Sequence, residues 1–138
     1  MSIFSIFKRK SSSSVEGKPI ESEITQKQTS HIALKKTAKT ASDPKERMQA
    51  VSGITDQDFL YEIAINDNDF GVGKAAVERL TNQQYLTSIG RDNAAHDWRC
   101  RKAAIARMTD KTALQHIIDN EKELTINSAA KERMMELS

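Results

Sequence analysis

Three arginines, Arg79, Arg107 and Arg133, stand in one column of the chain, twenty-eight and twenty-six residues apart. A guanidinium carries five donors in a planar fork, so such a ladder is chemistry for carboxylates or phosphates, as on an acidic peptide or a nucleic-acid backbone. The plainer reading lays the stems over helix edges with the charged heads in water. Phe70 and Trp98 share a second column with Pro44 and Leu124. Exposed, the two aromatics would form an anchor for a partner; burial between repeats is the stronger expectation. Lys74 and Lys102 share a third column, facing away from the apolar residues. Arg47 and Arg101 stand four residues after Asp43 and Asp97, a spacing that suits local ion pairs.

Catalysis has no constellation to support it. There is no glycine-rich phosphate loop, no nucleophile beside a base and an orienting group, and no carboxylate pair set apart from the helical surface pattern. Asp56, Asp58 and Glu62 read as helix-start and exposed-face charges. His96 lies four residues before Cys100, which sketches a two-ligand metal corner, but structural zinc takes four ligands and no other His or Cys is near in sequence. Cys100 occupies the slot that Val72 and Ile126 hold elsewhere, so it is expected to be a small buried residue with slow thiol chemistry. His116 reads as an ordinary boundary residue, and His31 sits in a weakly defined leading segment.

At the start of the chain, Ile3, Phe4, Ile6 and Phe7 make one apolar face if helical, and Lys8, Arg9 and Lys10 follow at once. This is the composition of a short anchor for an anionic interface or a partner's acidic groove; a frayed start is the plainer reading. Residues 1–42 carry a net charge of +5 and residues 43–138 carry −3, so the overall +2 hides a basic arm on a mildly acidic body. The first apolar cluster is too short for a secretory signal, and its basic residues follow it instead of preceding it. No apolar run approaches a membrane span. A single cysteine gives no disulfide framework, which fits a reducing cytoplasm.

The elements that must position these columns repeat with the same period. Asp43 to Asp56, Asp69 to Asn82 and Asp97 to Asp110 are three copies of one pattern, and a worn fourth runs from Glu123 through Ile126, Asn127, Ala129 and Ala130 to Met134. A period of this length marks stacked helical hairpins. Hydrophobic residues make up 38% of the chain and aromatics 5%, lean for a compact globule but enough for a solenoid, in which each repeat touches only its neighbours. Asp43, Pro44 and Glu46 agree on a helix start. Helices are expected over residues 43–54, 57–65, 70–80, 83–90, 98–108, 111–119 and 124–137. Residues 31–40 align with Gln57 onward, pairing Leu34 with Leu60 and Ala38 with Ala64, and predict a cap helix with Lys35, Lys36 and Lys39 on its polar outer face. Residues 11–30, rich in Ser, Glu, Lys, Thr and Gln, predict a disordered linker. Lys131 stands where Val51, Val77 and Ile105 stand in earlier copies, as a solvent-facing last repeat requires.

The consensus is Asp, two residues, an apolar residue, Arg, two residues, Ala, an apolar residue, two residues, then an apolar residue. Asp97, Cys100, Arg101, Ala104, Ile105 and Met108 fit it fully; Gly73 and Asn127 replace the Arg in the second and fourth copies, and Glu46 stands at the first apolar slot of the first copy. The pattern, over about residues 43–138, resembles the HEAT-like (armadillo-type) helical repeats, especially short bacterial forms including the leucine-rich-repeat-variant kind. The resemblance implies an all-α, short right-handed α-solenoid of helical hairpins that binds other proteins along one face. Some variant relatives carry an iron–sulfur cluster, which needs several thiolates where this chain has one; one branch handles bilin pigments, which no residue here supports.

The expectation is therefore a non-enzymatic, cytoplasmic binding scaffold with a protein partner, no cofactor, no metal and no small-molecule substrate. Arg79, Arg107, Arg133, Phe70 and Trp98 are its candidate contacts. The alternative is anionic membrane or nucleic-acid association through the arm, Ile3 to Lys10, and the arginine ladder, with a peripheral position at the inner membrane face. The acidic body weighs against nucleic acid, because affinity there follows the number of phosphates neutralised.

Overall fold

The computed structural model describes residues 18–91 and 97–138, with side chains from residue 26 onward. Eight α-helices are present among them: α1 (Lys18–Thr40), α2 (Pro44–Val51), α3 (Gln57–Asn66), α4 (Phe70–Arg79), α5 (Gln83–Arg91), α6 (Trp98–Ile105), α7 (Lys111–Asn120) and α8 (Leu124–Glu136). The chain divides into two compact units, residues 1–33 and 34–138. In the first, the described residues belong to α1, and their side chains from residue 26 are exposed. The second holds the end of α1 and all the remaining helices.

Each repeat helix starts where a carboxylate or amide caps it. Asp43, Asp56, Asp69, Asn82, Asp97, Asp110 and Glu123 each accept a backbone N–H from the first turn of the helix they precede. These bonds satisfy donors that the helix itself leaves orphaned. Pro44 follows its cap at the first helical position, where a missing N–H costs nothing.

The helices pack as sequential pairs and as a row. α3 lies against α4, α5 against α6 and α7 against α8, while α2, α4, α6 and α8 stack one on the next, the i/i+2 arrangement of a short solenoid. The row shares one small slot. Ala50, Ala76, Ala104 and Ala130 occupy it, and all are buried. Around them Val51, Val72, Val77, Leu80, Ile105, Met108 and Ile126 are fully enclosed, as are Leu60, Leu86, Ile89 and Leu114 from the alternate helices. Lys131, in the last copy, is exposed at the slot its predecessors fill with apolar side chains. Ala104→Leu drives a longer side chain into this row and is expected to lower stability by about 1–3 kcal/mol by overpacking. Chemical denaturation measures it, and an unchanged midpoint would remove Ala104 from the helix–helix contact.

α1 begins at Lys18, within the stretch of residues 11–30 read as a linker, while residues 11–17 lie outside the described residues. Once a helix is nucleated, each added residue gains a backbone hydrogen bond without a new nucleus, so polar composition does not prevent extension. The cap helix is present over 31–40, with Ala38 fully buried and Leu34 against Gly53. Lys36 and Lys39 are exposed and Lys35 is half-buried. Lys35 pairs with Asp56 at 2.6 Å and Lys39 with Glu62 at 3.0 Å, and both ammonium groups sit 5.4 Å from the Phe59 ring centre. The stems and a cation–π contact draw them onto α3.

Candidate functional site

The arginine ladder forms, and its heads are occupied. Each of α2, α4 and α6 ends in a tight turn, Ile54 N–H to Val51, Leu80 N–H to Val77 and Met108 N–H to Ile105. The next carbonyl of each turn then lacks an intrahelical partner. The arginine of the following repeat supplies it. Arg79 Nε donates to the Ile54 carbonyl at 2.7 Å, Arg107 donates to the Leu80 carbonyl through Nε at 3.1 Å and Nη2 at 2.9 Å, and Arg133 Nε donates to the Met108 carbonyl at 2.8 Å. All three are half-buried. The heads are thus not simply in water: they fasten repeat to repeat.

A second ladder runs the other way, and sequence reasoning missed it. Gln57 Oε1 accepts the Thr81 and Asn82 amides at 2.7 and 3.0 Å, while its Nε2 donates to the Arg79 carbonyl at 3.3 Å. Gln83 repeats this, accepting the Thr109 amide at 3.0 Å and donating to the Arg107 carbonyl at 3.1 Å. The available signal was two glutamines at matching slots directly after Asp56 and Asn82.

Arg47 and Arg101 make ion pairs, but not with Asp43 and Asp97. Arg47 grips Asp67 in a two-bond fork of 2.9 and 3.0 Å and donates to the Ala41 carbonyl at 2.8 Å. Arg101, 4% exposed, pairs with Glu121 and donates to the Gly90 carbonyl at 3.0 Å. Asp43 and Asp97 are committed to helix capping, so the arginines reach twenty residues on, to the C-terminal caps of α3 and α7. Burial acts to raise the Glu121 pKa, but the Glu123 amide and the Arg101 guanidinium outweigh it and hold the carboxyl below its ordinary range. In the second repeat Gly73 takes the arginine slot. A Cβ there would lie 3.0 Å from Cys100 Sγ and 3.4 Å from the Ala64 carbonyl, so the slot has been given to the cysteine.

Cys100 is buried, as its apolar neighbours in the repeat implied. Burial, with Asp97 nearby, pushes its pKa up to about 11. It is expected to react slowly with a thiol reagent in the folded protein and fast in denaturant; rapid native labelling would show that the slot is open. His96 lies outside the described residues. His116 is exposed on α7, where its carbonyl accepts from Asn120. Among the described residues, no group of three or more His, Cys, Asp or Glu is placed to hold a metal ion.

The aromatic column is where burial was expected and exposure is found. Phe70 is 44% exposed, Trp98 47% and Leu124 80%, each in the first turn of its helix. A first-turn side chain leans back over the cap and not into the neighbouring repeat, so these three form a surface row. Arg99, held by Asp97 at 2.9 Å, lays its guanidinium 3.6 Å from the Phe70 ring centre and 5.4 Å from that of Trp98. Below the row, a groove of about 450 Å³ is lined by Lys74, Glu78, Trp98, Arg99, Lys102 and Arg107, with two alanines. A second depression of about 630 Å³ lies over α5, between Gln84, Ser88, Arg91 and Asp110. Near it Tyr61 stacks on Tyr85 at 4.2 Å and bonds Ser88 at 3.0 Å, while Tyr85 donates to Asp58.

The apolar and basic arm, Ile3, Phe4, Ile6, Phe7, Lys8, Arg9 and Lys10, lies outside the described residues. No helix among the described residues is long and apolar enough to cross a membrane. No protein-family model, no curated protein and no solved structure matches the chain.

Proposed function

We infer that the protein is a non-enzymatic binding module of HEAT-like type, which holds a protein partner along the first turns of α4, α6 and α8. One observation carries this reading: Phe70, Trp98 and Leu124 stand in register on successive repeats and are 44, 47 and 80% exposed. Large apolar side chains repeated at one outward slot are a standing cost in water, which a partner surface relieves. The resemblance to scaffold repeats supports the same reading. The ladders contribute by fixing the register of the row: Arg79, Arg107, Gln57 and Gln83 bind neighbouring repeats together.

The test is a photo-cross-linking residue placed at position 98, with the exposed position 115 on α7 as control, in the cells that make the protein. A discrete protein adduct from position 98, absent from position 115 and lost in Leu124→Glu, is the expected result. Equal labelling from both positions would remove the row as a binding surface.

A further inference from the structure

We propose that the groove between α4 and α6 takes an acidic peptide in an extended, polyproline-like form, its carboxylates on Lys74 and Lys102 and an apolar side chain against Trp98. This rests on the reading of the Phe70–Trp98–Leu124 row as a partner surface and names the chemistry of the partner. The groove walls carry four cations, Lys74, Arg99, Lys102 and Arg107, against one acid, Glu78. Arg99 is paired with Asp97, and Arg107 is fixed on the Leu80 carbonyl. Lys74 and Lys102 are exposed, and among the described residues neither has a carboxylate in ion-pair reach.

This positive charge is local. The compact unit of residues 34–138 has sixteen Lys/Arg and sixteen Asp/Glu, and Asp56, Glu62 and Asp67 at α3 are already paired with Lys35, Lys39 and Arg47. An acidic peptide is therefore drawn to the groove, where Lys74 and Lys102 stand without a carboxylate, in preference to the rest of this unit, whose charges balance. A nucleic-acid backbone would meet too few cations for tight contact.

The geometry also sets a spacing. Lys74 and Lys102 occupy equivalent slots on adjacent helices of the row, which places them about 10 Å apart. A polyproline-type chain rises about 3.1 Å per residue with three residues per turn, so carboxylates three apart share one edge and span about 9 Å. The residue between them that faces the groove meets Trp98, which is 47% exposed beside Arg99.

The test uses the full chain and fluorescein-labelled peptides built on the repeat Glu-Pro-Leu, with Gln-Pro-Leu as the uncharged counterpart, alternating Glu-Leu as a second spacing and labelled poly-uridine. Saturable anisotropy with Glu-Pro-Leu, weakening as salt rises, is expected. The double variant Lys74→Glu, Lys102→Glu should bind about tenfold more weakly, since exposed charge contacts are each modest, with circular dichroism and melting unchanged. The charge reversal Lys122→Glu, at an exposed lysine outside the groove lining, should leave this peptide binding within about twofold. Equal binding of Gln-Pro-Leu, undiminished binding by the double variant, tighter binding of poly-uridine, or no binding of either glutamate peptide would each overturn the acidic groove. None of these results bears on the cross-link at position 98, which decides the binding row separately.

Discussion

Arg101→Ala is expected to lower the stability of the folded chain by about 3–5 kcal/mol, the cost of leaving a buried charge without its partner. Arg101 is 4% exposed, and the side chain of Glu121 is 8% exposed. The guanidinium ties three elements at once, with α6 as its base, the Gly90 carbonyl near the end of α5 and Glu121 at the end of α7. Without it the Gly90 carbonyl loses a charged donor, and the carboxylate keeps only backbone amides such as that of Glu123. Urea unfolding measures the loss, and a change below about 1 kcal/mol would mean that the pair behaves as a solvated surface bridge. Replacing both partners, as Arg101→Met with Glu121→Leu, should recover most of the loss, because the desolvation penalty leaves with the charges.

The same pair gives a pH dependence whose sign is fixed. The folded-state pKa of Glu121 lies below its ordinary value. As pH falls through that value, the unfolded chain takes up the proton first, so the contribution is complete above it and is lost progressively below it. In Arg101→Ala the guanidinium no longer holds the pKa down while burial still pushes it up, so the acid limb of the stability curve should be flatter than in the parent.

The helices were legible because their signals were local and repeated. Asp43, Asp69 and Asp97 begin helices in the sequence and in the structure, and the alanine column at 50, 76, 104 and 130 marked a buried slot shared by α2, α4, α6 and α8. What stayed hidden was long-range or two-valued. The partners of Arg47 and Arg101 are an Asp in one repeat and a Glu in the other, twenty residues away, so the period did not expose them. A first-turn Phe or Trp has the same sequence signature whether it tucks under the next repeat or stands out, and only the packing of α4 on α6 decides. The helical state of residues 18–30 was masked by a composition that suits a linker as well as a polar helix. The glutamine ladder was visible as a column and went unread because a polar side chain after a cap is ordinarily surface.

The combined change Gln83→Ala, Arg107→Met is expected to cost about 2–4 kcal/mol, the sum of hydrogen bonds that are individually worth about 1 and, where charged, up to about 3. At this seam Gln83 holds the Thr109 amide and the Arg107 carbonyl, while Arg107 holds the Leu80 carbonyl twice. Methionine keeps the stem that covers the helix edge, so the loss isolates the polar contacts. The last seam supplies the comparison. There Lys111 stands where Gln83 stood, and Arg133 alone reaches back, to the Met108 carbonyl, with a surface pair to Glu136 beside it. Arg133→Met should therefore cost less, about 1–2 kcal/mol. Stability in a stack of repeats is a sum of nearest-neighbour terms, so the first change should also speed amide exchange at Thr109 while leaving the Gln57–Arg79 seam protected. Equal losses at the two seams would show that the glutamine bonds contribute nothing beyond exchange with water. Exchange that quickens at Thr81 and Asn82 as strongly as at Thr109 would show instead that the repeats open as one body and not seam by seam.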